Sequence, residues 1–489
     1  MRAVCWIAAI GLCGSTFAPA QAQDGRPATG LPADATAEQA AVDDGALTPP
    51  LDADAPVHFH AAYQGLPEGL NWKCHPALGD FNGDGFADLA AIARKGDGPK
   101  VWFADGKGGW IEKSEGLQNE RGSCGGGVVI VDINGDSHPD LVVGDHCWGL
   151  FVFLGDGKGN WKTATKELMP PVIPDLPKPK GPFEGPQQFS GVESIAVGDI
   201  NGDGHDDIVC GASLEGGFAV FLGDGAGENW THKKTSLPDW GWTNRLVLAD
   251  FDGDGNLDIL AGRSIAPRVY LGDGKGDFSE VDDGFPTPKI VGLYWGVRAV
   301  DVNKDGLLDV LAANLSDGPE VYLQERYEAE VVVTPAVPAS DGGEATPAVT
   351  RKVKKLRFKK QPDVMPKMLG GAVGINAADF DGDGNLDLFV SGRLARIKGF
   401  RHGVYLLLGD GSGEVWRYVE GAGLPADGMA WNWGVAIGDI NGDGVPDVAV
   451  GSGGDVASDP RGRRSPSPSQ QLLAWITERN PRLAAKPQQ

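Results

Sequence analysis

The chain has 489 residues, including 74 glycines and 34 prolines, and 41% of its residues are hydrophobic. This composition excludes a helical bundle or coiled coil, a collagen-like chain and a wholly disordered chain. Acidic residues outnumber basic ones by 67 to 43, and the resulting formal net charge of −24 excludes nucleic acid as a partner attracted by overall charge.

The first 22 residues have the pattern of a secretory signal peptide. A positive start at Met1-Arg2 precedes an apolar run over 3–13, and Ala20-Gln21-Ala22 matches a cleavage site. We therefore expect a secreted or periplasmic protein that is cleaved near Ala22. Since no later stretch approaches 18 apolar residues, we expect no stable membrane insertion. Residues 23–56 are rich in Ala, Asp and Pro, which predicts a disordered linker.

Cleavage would leave four cysteines in an oxidising compartment: Cys74, Cys124, Cys147 and Cys210. Four cysteines allow one or two disulfides, with three possible full pairings, and the sequence does not choose among them. The spacing contains no C-x-x-C pair, which argues against zinc.

A nine-residue string of the form D-x-[ND]-x-D-[GS]-x-x-D recurs seven times. The copies occupy 80–88, 132–140, 199–207, 250–258, 301–309, 379–387 and 439–447, and three of the steps are 51 or 52 residues. Short β-type runs flank each copy, and a glycine-rich turn such as LGDGKGNW follows most of them. Four short strands in a unit of about 50 residues are typical of a propeller blade.

The sequence therefore predicts an all-β, seven-bladed β-propeller of four-stranded blades over residues 57–477, followed by a C-terminal tail over 478–489. The last unit has only three strand candidates. The segment VHFHAAYQGLP at 57–67 resembles the fourth strands of other units, so we expect the N-terminal strand to complete the last blade and close the ring.

The strings place carboxylate or amide oxygens at positions 1, 3, 5 and 9, and the backbone carbonyl of position 7 can join them. Oxygen-only donors of this kind suit Ca²⁺. We expect up to seven structural calcium sites. The predicted ligands are Asp80, Asn82, Asp84, Phe86, Asp88, Asp132, Asn134, Asp136, His138, Asp140, Asp199, Asn201, Asp203, His205, Asp207, Asp250, Asp252, Asp254, Asn256, Asp258, Asp301, Asn303, Asp305, Leu307, Asp309, Asp379, Asp381, Asp383, Asn385, Asp387, Asp439, Asn441, Asp443, Val445 and Asp447.

Two alternatives to calcium loops, an EF-hand and plain Asp-Gly turns, fit the strings less well. An EF-hand requires Glu at position 12, where these strings carry Ala, Val or Cys. Plain Asp-Gly turns would not repeat the same oxygen spacing seven times. Two copies depart from the pattern, because Ser137 replaces Gly at position 6 and Lys304 replaces Gly at position 4. We expect these two sites to be the weakest.

The Asp strings and the LGDG turns resemble FG-GAP/VCBS repeats, and the ring resembles the N-terminal propeller of integrin α subunits. The resemblance covers about residues 57–477. It implies that the calcium loops lie on one face and that the ligand-binding loops lie on the other. It does not choose a function, because such propellers include adhesion modules, lectins and the scaffolds of some lyases and phospholipases.

The loops expected on the opposite face are rich in tryptophan and arginine. Tryptophan rings could stack on sugars, and arginines could bind acidic groups; alternatively, the rings fill gaps between blades and the arginines are solvated. The predicted ligand rim comprises Trp72, Trp242, Trp295, Trp431, Trp433, Arg393, Arg396 and Arg401.

The sequence thus predicts a secreted, calcium-binding propeller that acts as an extracellular binding or adhesion module for a glycan or a protein. The alternative is a lyase or hydrolase that acts on polysaccharide, with a His or Lys of the rim as base, and His75 and His146 are the candidate histidines. No GxSxG or HExxH motif is present.

Overall fold

The computed structural model describes residues 51–482, apart from 70, 177–185, 282, 287–292, 335–348, 363–364, 367–368, 395–401, 427–428, 430 and 454–471. All regular structure in this part of the chain is β-strand. It contains no helix of the length and apolarity needed to cross a membrane. The predicted signal peptide, most of the predicted linker and the end of the predicted tail lie outside the described residues.

The chain begins with β1 (Val57–Ala61) and the two-residue β2 (Cys74–His75), and the strands that follow form antiparallel four-stranded blades. Blade one contains β3 (Ala77–Gly79), β4 (Asp88–Ile92), β5 (Pro99–Ala104) and β6 (Trp110–Glu112). Blade two contains β7 (Gly126–Val131), β8 (Asp140–Asp145), β9 (Gly149–Gly155) and β10 (Trp161–Leu168). Blade three contains β11 (Val192–Gly198), β12 (Asp207–Ala212), β13 (Phe218–Gly223) and β14 (Trp230–Lys233).

The later blades follow the same order from the inner to the outer strand. Blade four contains β15 (Thr243–Ala249), β16 (Asp258–Arg263), β17 (Pro267–Gly272) and β18 (Phe278–Glu280). Blade five contains β19 (Tyr294–Val300), β20 (Asp309–Asn314), β21 (Gly318–Thr334) and β22 (Val349–Lys360). Blade six contains β23 (Leu369–Ala378), β24 (Asp387–Leu394), β25 (Gly403–Gly409) and β26 (Trp416–Tyr418). Blade seven contains β27 (Asn432–Gly438), β28 (Asp447–Ser452) and β29 (Leu472–Arg479).

The ring closes through the N-terminal strand, as the sequence predicts. Blade seven has the strand order β27-β28-β29-β1, with Val57 opposite Arg479 and Ala61 opposite Trp475. The inner strand of every blade also contacts the inner strands of both neighbouring blades, from β3 through β27 and back to β3. The seven-bladed propeller with a shared last blade is therefore confirmed.

One strand was not predicted. Strand β2 immediately precedes blade one in the chain, but it pairs in parallel with β7 of blade two, with Cys74 opposite Gly126. His75, at the end of β2, places Nε2 3.1 Å from the carbonyl oxygen of Asn244 in blade four. Because blades one and four are not neighbours, this contact crosses the centre of the ring.

Neighbouring blades are joined by the aromatic residue that opens an outer strand. The indole N–H of Trp110 in blade one donates to the carbonyl of Ala62 at 2.8 Å. Trp161 in blade two donates in the same way to Lys113 of blade one at 2.9 Å. The repeated aromatic after the glycine-rich turn therefore locks each of these blades to the one before it, which explains why the repeat retains it.

The long hairpin of β21 and β22 extends blade five. Acidic residues on β21 face basic residues on β22, with Glu325 opposite Arg357 and Glu330 opposite Lys352. Opposite charges across an antiparallel pair favour this register.

Cys124 and Cys147 form a disulfide, with their Cα atoms 5.8 Å apart. The Asp145 carboxylate accepts hydrogen bonds from the backbone N–H groups of both cysteines, at 2.9 and 2.7 Å. Cys74 and Cys210 are buried free thiols. The four described cysteines therefore form one disulfide, which is one of the alternatives that the sequence left open.

Candidate metal centres and ligand face

Each Asp string forms the connection between the first and second strands of its blade. Since this connection is the same in every blade, all seven strings lie on one face of the ring. We call them metal loops one to seven in chain order: 80–88, 132–140, 199–207, 250–258, 301–309, 379–387 and 439–447.

Within each loop the backbone coils around the carboxylates. In metal loop one, the first Asp accepts the N–H of Gly83 at 2.7 Å and of Gly85 at 2.9 Å, and Asp84 accepts the N–H of Phe86 at 2.9 Å. The bond from the sixth residue to the first Asp and the bond from the seventh residue to the fifth recur in all seven loops. The predicted oxygen donors of positions 1 and 5 therefore share one turn of chain.

The donor chemistry fits calcium best in two loops. In metal loop four, the carboxylates of Asp250, Asp252 and Asp254 have oxygens within 4.8 Å of one another, and Asp379, Asp381 and Asp387 form the same kind of group in metal loop six. These are the two loops with Asp at position 3. In the other five loops position 3 is Asn. Its side-chain amide donates to the Asp at position 5, as Asn82 does to Asp84 at 2.8 Å. The third carboxylate therefore leaves loops four and six with the largest unbalanced charge.

The ninth-position Asp has a second role that the sequence did not indicate. These residues are fully buried: Asp88, Asp140, Asp207, Asp258, Asp309, Asp387 and Asp447. One oxygen of Asp88 accepts the N–H of Phe81 at 2.9 Å, and the other accepts the N–H of Ala104 on the third strand at 2.8 Å. The equivalent pair of bonds is present in every blade. This carboxylate therefore ties the loop to the sheet.

Without metal, the protein should lose stability as the pH rises from about 4 to about 7. Burial raises the pKa of Asp88, Asp309, Asp387 and Asp447 to about 7 and that of the other three ninth-position residues to about 6. The usual value is about 3.9, so the folded state holds more protons in this interval. Their contribution is complete below about pH 4 and is lost as the pH passes 6 to 7.

Melting temperatures of resin-stripped protein between pH 4.5 and 7.5 would measure this effect. Calcium-loaded protein is the comparison, and its trend should be opposite because metal binding requires ionised carboxylates. A metal-free melting temperature that rises with pH would contradict the assignment.

On the opposite face, three of the predicted rim tryptophans form one cluster. The rings of Trp295 and Trp433 lie 4.3 Å apart, and Trp431 stacks on Trp433 at 5.6 Å. Lys73 Nζ lies 3.8 Å from the centre of the Trp433 ring, and His402 lies 4.8 Å from Trp431. Trp295 and Trp433 are 7% and 6% exposed, so most of their surface is already covered, whereas Trp431 is half-buried.

The other predicted rim residues are placed differently. Trp72 is 1% exposed and packs edge to face against Trp102 in the hydrophobic core, so it has no ring face for a ligand. Trp242 is half-buried beside the start of β15. Arg396 and Arg401 lie outside the described residues, as does the side chain of Arg393, the next-to-last residue of β24.

Sequence comparisons identify the repeats. The FG-GAP-like repeat family matches residues 80–143, 132–210, 199–261, 250–312 and 394–450. The chain belongs to the FG-GAP-like repeat family. The predicted family is therefore confirmed, and each match begins or ends at an Asp string or the strand after it.

Curated relatives include two integrin α subunits. "Integrin alpha pat-2" of Caenorhabditis briggsae is 29% identical over 211 residues, 38% of this chain and 17% of that protein. "Integrin alpha-7" of Homo sapiens is 26% identical over 174 residues, 32% of this chain and 13% of that protein. "Phosphatidylinositol-glycan-specific phospholipase D" of Mus musculus is 28% identical over 164 residues, 29% of this chain and 18% of that protein. The chain thus spans less than a fifth of the length of these relatives.

Two arginines of this FG-GAP propeller contact the loops with the extra carboxylate. Arg326 of blade five donates to the carbonyl of Phe251 in metal loop four at 3.2 Å. Arg479 of blade seven donates to the carbonyls of Asp379 and Phe380 in metal loop six at 2.9 and 3.0 Å. Each cation comes from the next blade, so it clamps the loop and offsets part of its added charge.

Sequence reasoning missed these arginines, although a signal was present. Both lie two residues after the backbone N–H that binds the ninth-position Asp. In the other FG-GAP repeats that place is a glycine of the glycine-rich turn, such as Gly106. The two repeats that lack this turn are the ones that supply the arginine.

The two irregular loops behave differently from each other. Ser137 adopts φ +71°, a left-handed conformation that strains a residue with a Cβ. Lys304, also left-handed at φ +61°, extends to the neighbouring loop, where Nζ donates to Asn385 Oδ1 at 2.7 Å. The charge of Lys304 therefore reaches across to metal loop six.

Replacing Ser137 by glycine should stabilise the protein by about 1 kcal/mol, because glycine adopts this φ without strain. The midpoint of urea unfolding measures the change. Gly85→Ser introduces the same residue at position 6 of metal loop one, where φ is +89°, and should destabilise the protein. Equal midpoints for wild type and Ser137→Gly would show that the conformation stores no strain.

Proposed function

We propose that this chain is a calcium-stabilised propeller, secreted or periplasmic after cleavage near Ala22, that acts as a non-catalytic binding or adhesion module. The repeated oxygen arrangement of the seven metal loops carries the proposal, since it supports metal binding on one face of the ring. Loops four and six, where three carboxylates lie within 4.8 Å, offer the donor set that Ca²⁺ prefers. Membership of the FG-GAP family and the similarity to integrin α subunits support a binding role.

The partner would be an extracellular glycan or protein that contacts the face opposite the metal loops. Trp431 is the candidate anchor, because it is half-buried and stands at the edge of the cluster with Trp295 and Trp433. An aromatic face beside a cation can stack on a sugar ring or hold an aromatic side chain. The alternative is a polysaccharide-active enzyme. Its candidate base His75 is 3% exposed and contacts Asn244, a poor position for reaching a substrate.

A glycan array and a panel of immobilised extracellular proteins, each probed with calcium and with EGTA, would test the proposal. We expect calcium-dependent binding to at least one probe and, because ring stacking contributes about 1–3 kcal/mol, a loss of about tenfold or more in Trp431→Ala. Ile111→Ala changes a side chain that is 57% exposed on the outer strand of blade one and should bind as wild type.

Analysis of any bound polysaccharide separates the two functions. Intact polymer supports a binding module, whereas shortened chains with new ends support the enzyme. The proposal fails if wild type binds nothing in the presence of calcium, or if binding is the same with and without the metal.

A further inference from the structure

The axis of the ring carries two arginines that the proposed function does not use. Arg245 lies on β15 and Arg298 on β19, the inner strands of neighbouring blades. Leu246 and Val297, next to them in sequence, are 3% and 0% exposed and pack into the blades. Because side chains alternate along a strand, the arginines point away from these two residues, and both lie on inner strands, which border the axis. Both remain partly accessible to water there.

The positive charges of these arginines are not neutralised by the described residues. Arg298 donates from Nε to Asn376 at 2.8 Å, from Nη1 to the carbonyl of Val297 at 2.9 Å and from Nη2 to the carbonyl of Val435 at 3.1 Å, all of them uncharged acceptors. Arg245 Nε is buried and has no hydrogen-bond partner among the residues that the structure describes. The ion pairs found in the described part of the chain include neither arginine.

The surroundings of each arginine also lower its pKa. Burial lowers the pKa of Arg245 to about 10. Burial, followed by repulsion from Arg245, lowers the pKa of Arg298. Arg245 and Arg298 thus place two like charges on neighbouring inner strands, in a partly enclosed region where water screens them less than at the surface.

The carboxylate of Glu193 already has two histidine neighbours. Glu193 Oε2 lies 2.7 Å from His146 Nε2, and its other oxygen lies 3.9 Å from His75. Burial acts to raise the pKa of Glu193, but His146 and then Lys73 outweigh it and hold the pKa at about 2. Burial and then Arg245 lower the pKa of His75 to about 3, so His75 is neutral at pH 7. The centre of a chain with net charge −24 is thus locally positive.

We propose that the axis of the propeller is a binding site for a small oxyanion, held between the guanidinium groups of Arg245 and Arg298. A partly enclosed charge without an ionic partner is costly, and guanidinium groups bind sulfate, phosphate and carboxylate oxygens through paired N–H donors. The metal loops make one face of the ring acidic, so the anion would enter from the tryptophan face, past Lys73. This inference goes beyond the proposed function and does not depend on it.

Isothermal titration calorimetry of the full-length, calcium-loaded protein in chloride buffer tests the site, with sodium sulfate as the first probe. We expect saturable binding of one sulfate per chain. Arg245→Met should weaken it by about tenfold or more, because it removes charge-assisted hydrogen bonds. The same variant should melt higher than wild type when only chloride is present, since it removes an unpaired charge. Arg351→Met, at an exposed position of β22, is the control for loss of charge and should bind as wild type.

Two further probes identify the source of the anion. Phosphate, added to the calcium-loaded protein at a concentration low enough to avoid precipitation, tests for a second inorganic ligand, and acetate tests for a carboxylate group from an acidic partner. If Arg245→Met does not fold, Arg245→Lys keeps the charge but loses the planar fork, and it should bind sulfate more weakly. The proposal is overturned if wild type shows no saturable binding of any of the three anions, or if Arg245→Met or the folded Arg245→Lys binds them as wild type does.

Discussion

Removing calcium should lower the melting temperature of the protein by on the order of 10 °C or more. If each metal loop binds at about 0.1 mM and calcium is present at about 1 mM, each site contributes about 1.4 kcal/mol, and seven sites contribute roughly 10 kcal/mol. This is comparable to the stability of a whole domain. Loops four and six add repulsion among three carboxylates when no metal is bound. Differential scanning calorimetry with calcium and with EGTA, at one ionic strength, measures the change.

Two controls make this expectation specific. Asp254→Ala in metal loop four should reduce bound calcium by one ion per chain in atomic emission measurements. Asp273→Ala, at an exposed position in the glycine-rich turn of the same blade, should leave the calcium content unchanged. Magnesium at the same concentration should restore little stability, because it requires octahedral coordination with shorter metal–oxygen distances than calcium. An identical melting temperature with and without chelator would disprove the structural role of calcium.

Most of the fold could be predicted because each repeat carries its own signals. The Asp string fixes the connection between the first two strands of a blade, and the glycine-rich turn fixes the next hairpin. The last unit has only three strand candidates, which predicted that the N-terminal strand completes this blade and closes the ring. The position of β2 could not be predicted, since its parallel pairing with β7 and the contact of His75 with Asn244 depend on the packing of distant blades around the axis.

In the candidate sites, too, contacts between residues close in sequence could be predicted, whereas contacts between distant segments could not. The oxygens of positions 1 and 5 converge through bonds inside nine residues, so spacing alone placed them. The ninth-position Asp looked like a further ligand, but its bond to the third strand comes from a segment 14 to 30 residues away along the chain. Trp72 and Trp431 were both predicted for the rim, yet Trp102 of blade one covers Trp72, whereas Trp431 lies at the edge of its cluster. Which ring stays accessible depends on neighbours that the repeat pattern does not encode.

The largest effect of a single substitution on the closure of the ring should come from Phe59 on β1. Its side chain is 2% exposed, and its ring lies 5.7 Å from those of Phe380 and Phe389 in blade six. Phe59→Ala should therefore destabilise the protein by about 4 kcal/mol, since it leaves a cavity in the core that joins blades six and seven. The midpoint of urea unfolding measures the loss.

His60→Ala is the matched control, because His60 is the next residue of the same strand and faces solvent. Its Nε2 lies 3.0 Å from Glu478, an exposed pair that contributes at most about 1 kcal/mol. A weakened β1 would also expose the edge of β29, so aggregation near the transition should increase in Phe59→Ala and not in His60→Ala. If both variants unfold at the same urea concentration, the contacts of β1 with blade six do not stabilise the closed ring, and closure must depend on its backbone pairing with β29 alone.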